Sequence, residues 1–460
     1  MTAFLFSLAR VGAVILAASA AGWTISTGLF PPGPRHRAER LGWGYALGCA
    51  ALIAFVPLSL LVGVRPGWIG FVVLAVLLVG TSRLLAPLTP PSPPDGWRGG
   101  IRGEAVDGPT GESRLPLPAG VGWGEGRSRA LLKFLIVAGI ALYALRALTE
   151  PMWANDFIAV WGLKGKAIFG AEGFPEHFYR WTELEYTHPE YPLGLPLLYA
   201  GISFLTGRWD DHAMALLFPL FQIATLLVLF GWLRRRGASP VAAGLAAAIV
   251  AWFEPLYSAF LTGMAEVPLG FGMLLFGVAL ADALDESDAG ALRRLAFAAA
   301  LIAALKNEGL FLAAAGVVLA LVFGKSARWK IAFVALGPAL LVRATHVPWR
   351  SRLPLADFEW SLFSMERVWD SIAAATLLLG WATWAGLAFL LVLVALGDRV
   401  PAGNRLLLLA ACAVAAYLVI PAFAVRGPAW LIETTLLRTT SALAPLVAAG
   451  IAVRFTKPRV

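Results

Sequence analysis

Charged residues are scarce in this chain. They make up 14% of its 460 residues, while 59% are hydrophobic, and no soluble domain of this length carries so much apolar surface. Cysteine is nearly absent, and both Cys49 and Cys412 lie in apolar runs, so no disulfide framework is predicted. No internal repeat is visible, which weakens the case for a transporter built from inverted repeats. The composition predicts a polytopic membrane protein.

Basic residues give the chain a net charge of +9 and lie in the short segments between apolar runs. Such clusters set membrane topology by staying in the cytoplasm, so nucleic acid is not expected as a partner. This placement predicts an all-α protein with about 13 membrane-spanning helices, an outer N-terminus and an inner C-terminus. The spans are predicted at 3–22, 43–63, 68–86, 130–149, 212–233, 239–258, 266–283, 291–306, 309–324, 330–345, 373–397, 405–424 and 436–453. Segment 191–206 must then enter the membrane without crossing it.

The predicted domain boundaries follow from one segment. Residues 87–129 are rich in proline and glycine and lack apolar periodicity, which is typical of a flexible linker. We expect residues 1–86 to form accessory N-terminal transmembrane helices, 87–129 a cytoplasmic linker, and 130–460 the transmembrane core. The first apolar run resembles a signal peptide, but it lacks a basic start, so we interpret it as a span.

On this topology, ionisable and polar residues collect on the non-cytoplasmic side. Such groups are costly at a membrane and are therefore candidates for a functional site. The set comprises Asp156, Lys164, Lys166, His188, Glu190, Tyr191, Glu254, Glu266, Lys306, Asn307, Glu308, Arg343 and Arg438.

The segment "DFIAVWGLKGKAIF" has the apolar spacing of an amphipathic helix lying in the membrane interface. Asp156 at its start is either a helix cap or a catalytic carboxylate. Lys164 and Lys166 are either interfacial lysines that extend to water or ligands for a substrate. In "THPEYP", His188 and Glu190 form either a metal-binding or hydrogen-bonding pair, or a turn that ends at a proline.

Three further places combine charge with apolar runs. Glu266 begins a predicted span, where a first-turn acid also suits the helix dipole. In "LKNEG", Lys306 and Glu308 flank Asn307; a lysine there would bind a phosphate and a glutamate would orient it, whereas the alternative is a tight loop. Arg438 lies inside the last predicted span and requires a partner, either a lipid phosphate or an intramembrane glutamate.

The pattern of an aspartate at the end of a span, "W-x-x-K-x-K" at 161–166, "H-P-x-Y-P-L" at 188–193, "AEVPLG" and "LKNEG" resembles a known family. It is similar to the GT-C glycosyltransferases, in particular the bacterial members related to protein mannosyltransferases and aminoarabinose transferases. The resemblance covers roughly residues 130–453.

The resemblance implies transfer of a sugar from a polyprenyl-phosphate donor to a lipid, glycan or protein acceptor outside the cytoplasm of a bacterium. The candidate base in that family corresponds here to Asp156. The other candidates would bind substrate, namely Lys164, Lys166, His188, Glu190, Tyr191, Glu266, Lys306, Asn307, Glu308 and Arg438. A divalent cation such as Mg²⁺ or Mn²⁺ is one way to neutralise the phosphate. Many relatives carry an acidic pair where this chain has Asn155 and Asp156, which puts metal binding there in doubt.

Two other functions fit part of the sequence. A transporter or flippase for a lipid-linked saccharide would use the same basic residues, but it should place charges near the membrane centre. An O-antigen ligase or polymerase would need a large, arginine-rich outer loop late in the chain. The late outer loop here, 345–371, is modest in length and mixed in charge.

Overall fold

The computed structural model describes residues 2–27, 29–30, 37–84, 122–175, 187–286, 288–346, 359–380, 384, 401–454 and 456. Within these ranges the chain forms helices and connecting loops, and no β-strand occurs. Most of the predicted linker and parts of segments 345–371 and 373–397 lie outside the described residues.

The N-terminal part forms four long helices, α1 (Thr2–Ser26), α2 (Arg37–Leu61), α3 (Trp68–Leu84) and α4 (Gly122–Thr149). The last eight residues of the predicted linker, 122–129, belong to α4. That part of the linker prediction was wrong, because hydropathy marks where a helix enters the membrane rather than where the helix begins.

The middle of the chain has shorter helices. A π-helical turn, Phe157–Trp161, leads into α5. The helices are α5 (Gly162–Gly170), α6 (Gly194–Thr206), α7 (Asp211–Met214), α8 (Leu217–Arg235) and α9 (Pro240–Ala251). The predicted interfacial helix is therefore helical, and its buried face carries Val160, Trp161 and Ile168.

The C-terminal part contains nine further helices among the described residues. These are α10 (Glu266–Glu286), α11 (Ala289–Leu305), α12 (Glu308–Phe323), α13 (Arg328–His346), α14 (Met365–Leu379), α15 (Pro401–Val419), α16 (Pro428–Leu431), α17 (Leu437–Ser441) and α18 (Ala444–Val453). A second π-helical turn, Ile432–Leu436, joins α16 to α17, and the chain bends by 45° before α18.

Six helices of the described chain are long and apolar enough to cross a membrane, and the bent pair 428–441 and 444–453 makes a seventh if it counts as one span. The protein is thus a polytopic helical membrane protein. Two other predicted crossings, 239–258 and 309–324, fall on the shorter apolar helices α9 and α12, and the segment predicted to enter without crossing contains the shorter helix α6.

Helix α10 lies at the centre of the bundle. It contacts α8, α11, α15 and α18. Its apolar stretch is buried along its whole length, as expected for a helix that is apolar on every side. Glu266 is its first residue, and Asp282 lies near its end. At 1.5 Å per residue, the two are about 24 Å apart along the helix axis.

Two close backbone approaches bring loops to the end of α11. A Cβ atom on Gly194 would lie 2.3 Å from the carbonyl oxygen of Ala304, and one on Gly309 would lie 2.1 Å from that of Ile302. Both distances are too short for any side chain. The start of α6 and the start of α12 therefore meet at this end of α11, which places "HPEYP" beside "KNEG".

The N-terminal helices pack directly on the core. The hydroxyl of Tyr45 in α2 donates to the carbonyl oxygen of Leu217 at 3.1 Å. Arg10 and Ser7 in α1 bond to Thr206 and Arg208 at the end of α6, at 3.3 and 3.1 Å. These contacts place the start of α1 at the end of α6.

Candidate functional site

Asp156 and Arg438 form an ion pair between distant parts of the chain. Arg438 Nη1 donates to Asp156 Oδ2 at 2.6 Å. Asp156 stands at the cap position of the π-helical turn, but its side chain makes no capping hydrogen bond. The helix-cap interpretation is therefore wrong for this side chain, whose carboxylate is held by an arginine 282 residues away.

Further charges extend this pair into a chain of alternating sign. Arg438 Nε lies 3.7 Å from Glu266 Oε1. Lys306 Nζ lies 3.0 Å from the same oxygen and 2.8 Å from Glu308 Oε1. We call Asp156, Arg438, Glu266, Lys306 and Glu308 the cavity cluster. With three carboxylates and two cations, it carries a formal charge of −1.

The backbone is irregular beside both Asp156 and Arg438. Asp156 directly precedes the π-helical turn Phe157–Trp161, and Arg438 follows the turn Ile432–Leu436 by two residues. The hydroxyls of Thr434 and Thr435 donate to carbonyl oxygens one turn earlier, at 2.8 and 2.6 Å. Single π-helical turns inside helices are frequent at functional sites.

A cavity of about 410 Å³ lies against the cluster. One part of its wall is polar, and another is formed by apolar residues of α12, the segment just after α15 and the segment before α17. The polar lining comprises Asp156, Glu190, Tyr191, Lys306, Asn307, Glu308, Arg343, Tyr417, Thr435, Arg438 and Thr439, and the apolar lining Leu310, Phe311, Ile420, Pro421, Phe423, Leu431 and Leu436. Such a wall suits a ligand with a charged head and an apolar chain.

Several buried polar atoms at this site have no hydrogen-bond partner among the residues that the structure describes. They are Glu266 Oε2, Asn307 Oδ1, the Tyr417 hydroxyl and Arg438 Nε. A buried polar group without a partner costs roughly 1–3 kcal/mol. The cluster therefore retains hydrogen-bonding capacity for a ligand or for water.

The loop before α6 is held by a stack of three rings. The Tyr191 ring lies 5.4 Å from that of Trp161 and 4.7 Å from that of His188, nearly parallel to both. His188 Nδ1 lies 3.0 Å from Glu190 Oε1, and Arg343 Nη2 donates to the Glu190 carbonyl at 3.3 Å. The stack directs Glu190 and Tyr191 to the cavity wall.

Lys164 supports this loop from below. Its ammonium is fully buried and donates to the backbone carbonyl of His188, which has a positive φ of 52°. Burial lowers the pKa of Lys164 to about 7, and the charge of Glu190 opposes this shift. For Glu190, burial alone would raise the pKa, but the hydrogen bond and charge of His188 outweigh it and hold the pKa below its usual value.

The structure brings most of the predicted site residues together. Asp156, Glu190, Tyr191, Lys306, Asn307, Glu308 and Arg438 line the cavity, and Glu266 lies directly behind it. Within the described chain, that lining does not include Lys164, Lys166 or His188. Lys164 lies on the same helical face as Trp161 and Ile168 and so points inward, whereas Lys166 is exposed. Glu254, also predicted on this side, is exposed and lies outside the lining.

Sequence reasoning missed Tyr417 as a site residue. It lies in the apolar run of α15, lines the cavity and is 7% exposed. A lone tyrosine in a membrane helix is a weak signal, because such rings are common at interfaces.

A second buried set of charges lies at the other end of α10. Arg235 pairs with both carboxylate oxygens of Glu39, at 2.8 and 2.9 Å, and with Asp282. Asp282 also pairs with Arg236 at 2.6 Å and Arg294 at 3.1 Å. We call the set Glu39, Arg235, Arg236, Asp282, Asp285, Arg294 and Arg405 the arginine cluster. It joins residues from four basic segments that were predicted to share one side of the membrane, namely 35–40, 234–237, 293–294 and 397–405.

The arrangement does not suit a metal ion. No group of three or more histidine, cysteine, aspartate or glutamate side chains is placed to hold one within the described ranges. In the cavity cluster, Arg438 and Lys306 lie between the carboxylates. Asn155, beside Asp156, is exposed.

No protein-family model, curated protein or solved structure matches this chain. The chemistry of the site must therefore be inferred from the cavity and its lining residues.

Proposed function

We propose that the protein is an integral-membrane glycosyltransferase. It moves a sugar from a polyprenyl-phosphate donor to a lipid, glycan or protein acceptor on the non-cytoplasmic side of a bacterial plasma membrane. The observation that carries this proposal is the cavity, because a carboxylate and cations share its wall with apolar residues. A carboxylate takes a proton, a cation neutralises a phosphate, and an apolar wall contacts a lipid chain.

In this reaction Asp156 is the general base. It takes the proton of the acceptor hydroxyl, and the acceptor oxygen forms the new bond to the anomeric carbon of the sugar. The bond from that carbon to the phosphate oxygen breaks, and its electron pair leaves with the polyprenyl phosphate. No other reactant is needed for this balance.

The residues best placed to bind the phosphate are the two arginines in the cavity wall, Arg438 and Arg343. Arginine binds phosphate through two parallel hydrogen bonds. Lys306, the phosphate ligand suggested by the sequence, already has carboxylates at 2.8 and 3.0 Å and a side chain only 6% exposed. In this proposal Lys306 instead holds Glu266 and Glu308 in position.

The topology in this proposal keeps about 13 crossings and a GT-C-like core. Basic segments stay in the cytoplasm, so the arginine cluster faces inward and the cavity outward. Support comes from the segregation of the two clusters at opposite ends of α10.

A transporter is less well supported. Between Glu266 and Asp282, α10 carries apolar residues that are all buried. A pathway for a polar headgroup needs polar or ionisable groups near the membrane centre, and this central helix offers none there.

Mass spectrometry of lipids that co-purify with the protein tests the donor class. We expect a polyprenyl phosphate, with or without its sugar, on the wild-type protein. The Arg343→Met/Arg438→Met variant should lose that lipid, whereas Arg405→Met, in the arginine cluster, should retain it. A wild-type protein that binds no polyprenyl phosphate, even when the lipid is added in excess, would contradict the proposal.

A further inference from the structure

The geometry points to an exchange of partners at Arg438: the donor phosphate takes Arg438 from Asp156, so that the catalytic base is released only when the leaving group is in place. This inference rests on the proposed function. It assigns to the Asp156–Arg438 ion pair the role of a closed state of the site.

The first support is the position of this pair in the cavity cluster. Glu266 and Lys306 at the centre are 1% and 6% exposed, while Asp156 and Arg438 are 29% and 20% exposed. An ion pair that reaches solvent contributes little to stability and exchanges partners easily. Breaking a buried ion pair is costly, because it leaves an uncompensated charge inside the protein. Asp156–Arg438 is thus the contact that a ligand in the cavity breaks first.

The second support is what Arg438 retains after the exchange. Its Nε has no hydrogen-bond partner in the described part of the chain and lies 3.7 Å from Glu266 Oε1. A guanidinium has five N–H donors, and only one bond joins it to Asp156. A phosphate can therefore occupy the Nη side while the Nε side turns to Glu266. Without Asp156, the rest of the cluster has two carboxylates and two cations and is neutral.

The third support is the backbone that carries the two partners. Each lies within two residues of a π-helical turn, and Arg438 belongs to a five-residue helix between that turn and the 45° bend. Short, irregular helical segments shift more readily than a continuous helix. A small displacement of Arg438 is enough, because both partners already line the same cavity.

The exchange has a chemical consequence. While Arg438 holds Asp156, the carboxylate oxygen Oδ2 accepts a hydrogen bond from the guanidinium at 2.6 Å and is not available to an acceptor hydroxyl. Once the phosphate neutralises Arg438, the carboxylate is free to accept the acceptor's proton. Water entering an empty site therefore meets a base that is already engaged.

A double-mutant cycle tests the exchange through binding affinities and does not require turnover. Polyprenyl phosphate lacking a sugar is titrated against the full-length protein in micelles, with native mass spectrometry as the readout. Because Asp156 competes with the phosphate for Arg438, Asp156→Asn should tighten binding by about fivefold, the equivalent of one partly exposed ion pair. The same change made together with Arg438→Met should give no tightening relative to Arg438→Met alone.

Glu308→Gln is the matched control. It removes one carboxylate charge from the same cavity wall, but Glu308 pairs with Lys306 at 2.8 Å rather than with Arg438. Any effect of Glu308→Gln should be equal with and without Arg438→Met. If Arg438→Met does not fold, Arg438→Gln takes its place.

The outcomes separate the exchange from the proposed function. If polyprenyl phosphate binds but Asp156→Asn does not tighten it, the exchange is wrong and the donor class stands. The exchange is also wrong if Asp156→Asn and Glu308→Gln tighten binding equally in both backgrounds. If no variant binds polyprenyl phosphate, the donor class fails and the exchange with it.

Discussion

The two ends of α10 carry buried charges that are built differently. In the arginine cluster, every carboxylate oxygen of Glu39, Asp282 and Asp285 accepts a bond from at least one arginine. In the cavity cluster, Glu266 Oε2 is buried and receives no hydrogen bond from any described residue. The cavity cluster also borders a cavity of about 410 Å³.

This difference separates a structural role from a functional one. Both clusters are rich in ionisable residues, so burial and charge alone would nominate either as a site. Each cluster contains a buried arginine Nε atom without a partner among the described residues. The two clusters differ in the saturation of their carboxylate oxygens and in access to a cavity. The arginine cluster ties α2, α8, α10, α11 and α15 together, whereas the cavity cluster retains capacity for a ligand.

The largest expected effect is a loss of stability in the arginine cluster. Asp282→Ala leaves Arg235 and Arg294, which are 9% and 4% exposed, without their shared carboxylate. Removing one partner of a buried ion pair costs about 3–5 kcal/mol. Thermal unfolding in detergent should show a large fall in Tm or no folded protein.

Asp285→Ala is the matched control in the same cluster. Its carboxylate is 27% exposed, so the loss should be roughly 1 kcal/mol. Equal Tm values for Asp282→Ala, Asp285→Ala and wild type would refute the structural role of the arginine cluster.

A smaller loss is expected in the cavity cluster. Glu266→Gln removes a buried charge but leaves Lys306 paired with Glu308 and Arg438 paired with Asp156. The expected cost is about 1.5–3 kcal/mol, the value of a hydrogen bond to a charged group. Comparing the Tm of Glu266→Gln with the Tm of Asp282→Asn measures the difference in stability loss between the two clusters. A greater fall for Glu266→Gln would mean that the cavity cluster is mainly structural.

The smallest effect concerns pH and Lys164. Its pKa in the folded protein is about 7, below the ordinary value of about 10.4. Between these values the unfolded lysine holds a proton that the folded lysine lacks, so stability should rise with pH from about 7 upward. The slope approaches about 1.4 kcal/mol per pH unit. Tm measured at pH 6.5, 7.5 and 8.5 should rise for wild type relative to Lys164→Met; parallel curves would count against a depressed pKa.

The long helices were largely predictable from the apolar runs. The basic segments that were predicted to share one side of the membrane supply Arg235, Arg294 and Arg405, which meet in one cluster. The acids that pair with them were missed. Asp282 and Asp285 are one helical turn apart in "ADALDE", which is a signal for one charged face, but its arginine partners come from other helices.

The residues of the candidate site were predictable from the sequence, but the ion pairs between them were not. Asp156, Lys306, Glu308 and Arg438 were placed on one side because they follow or begin apolar runs. Their pairing depends on how α10, α12, α17 and the π-helical turn before α5 come together, which a single sequence does not reveal. Lys164 shows the limit: the spacing that makes its helix amphipathic also puts this lysine on the buried face.

Turnover of the purified donor by Asp156→Asn tests the central claim most directly. Wild-type protein in liposomes, given the lipid-linked sugar identified by mass spectrometry and an acceptor, should release polyprenyl phosphate. A general base contributes about 10²–10⁴-fold, so Asp156→Asn should lose at least about 100-fold in rate with the donor still bound and Tm nearly unchanged. Wild-type turnover by a folded Asp156→Asn protein would contradict the account.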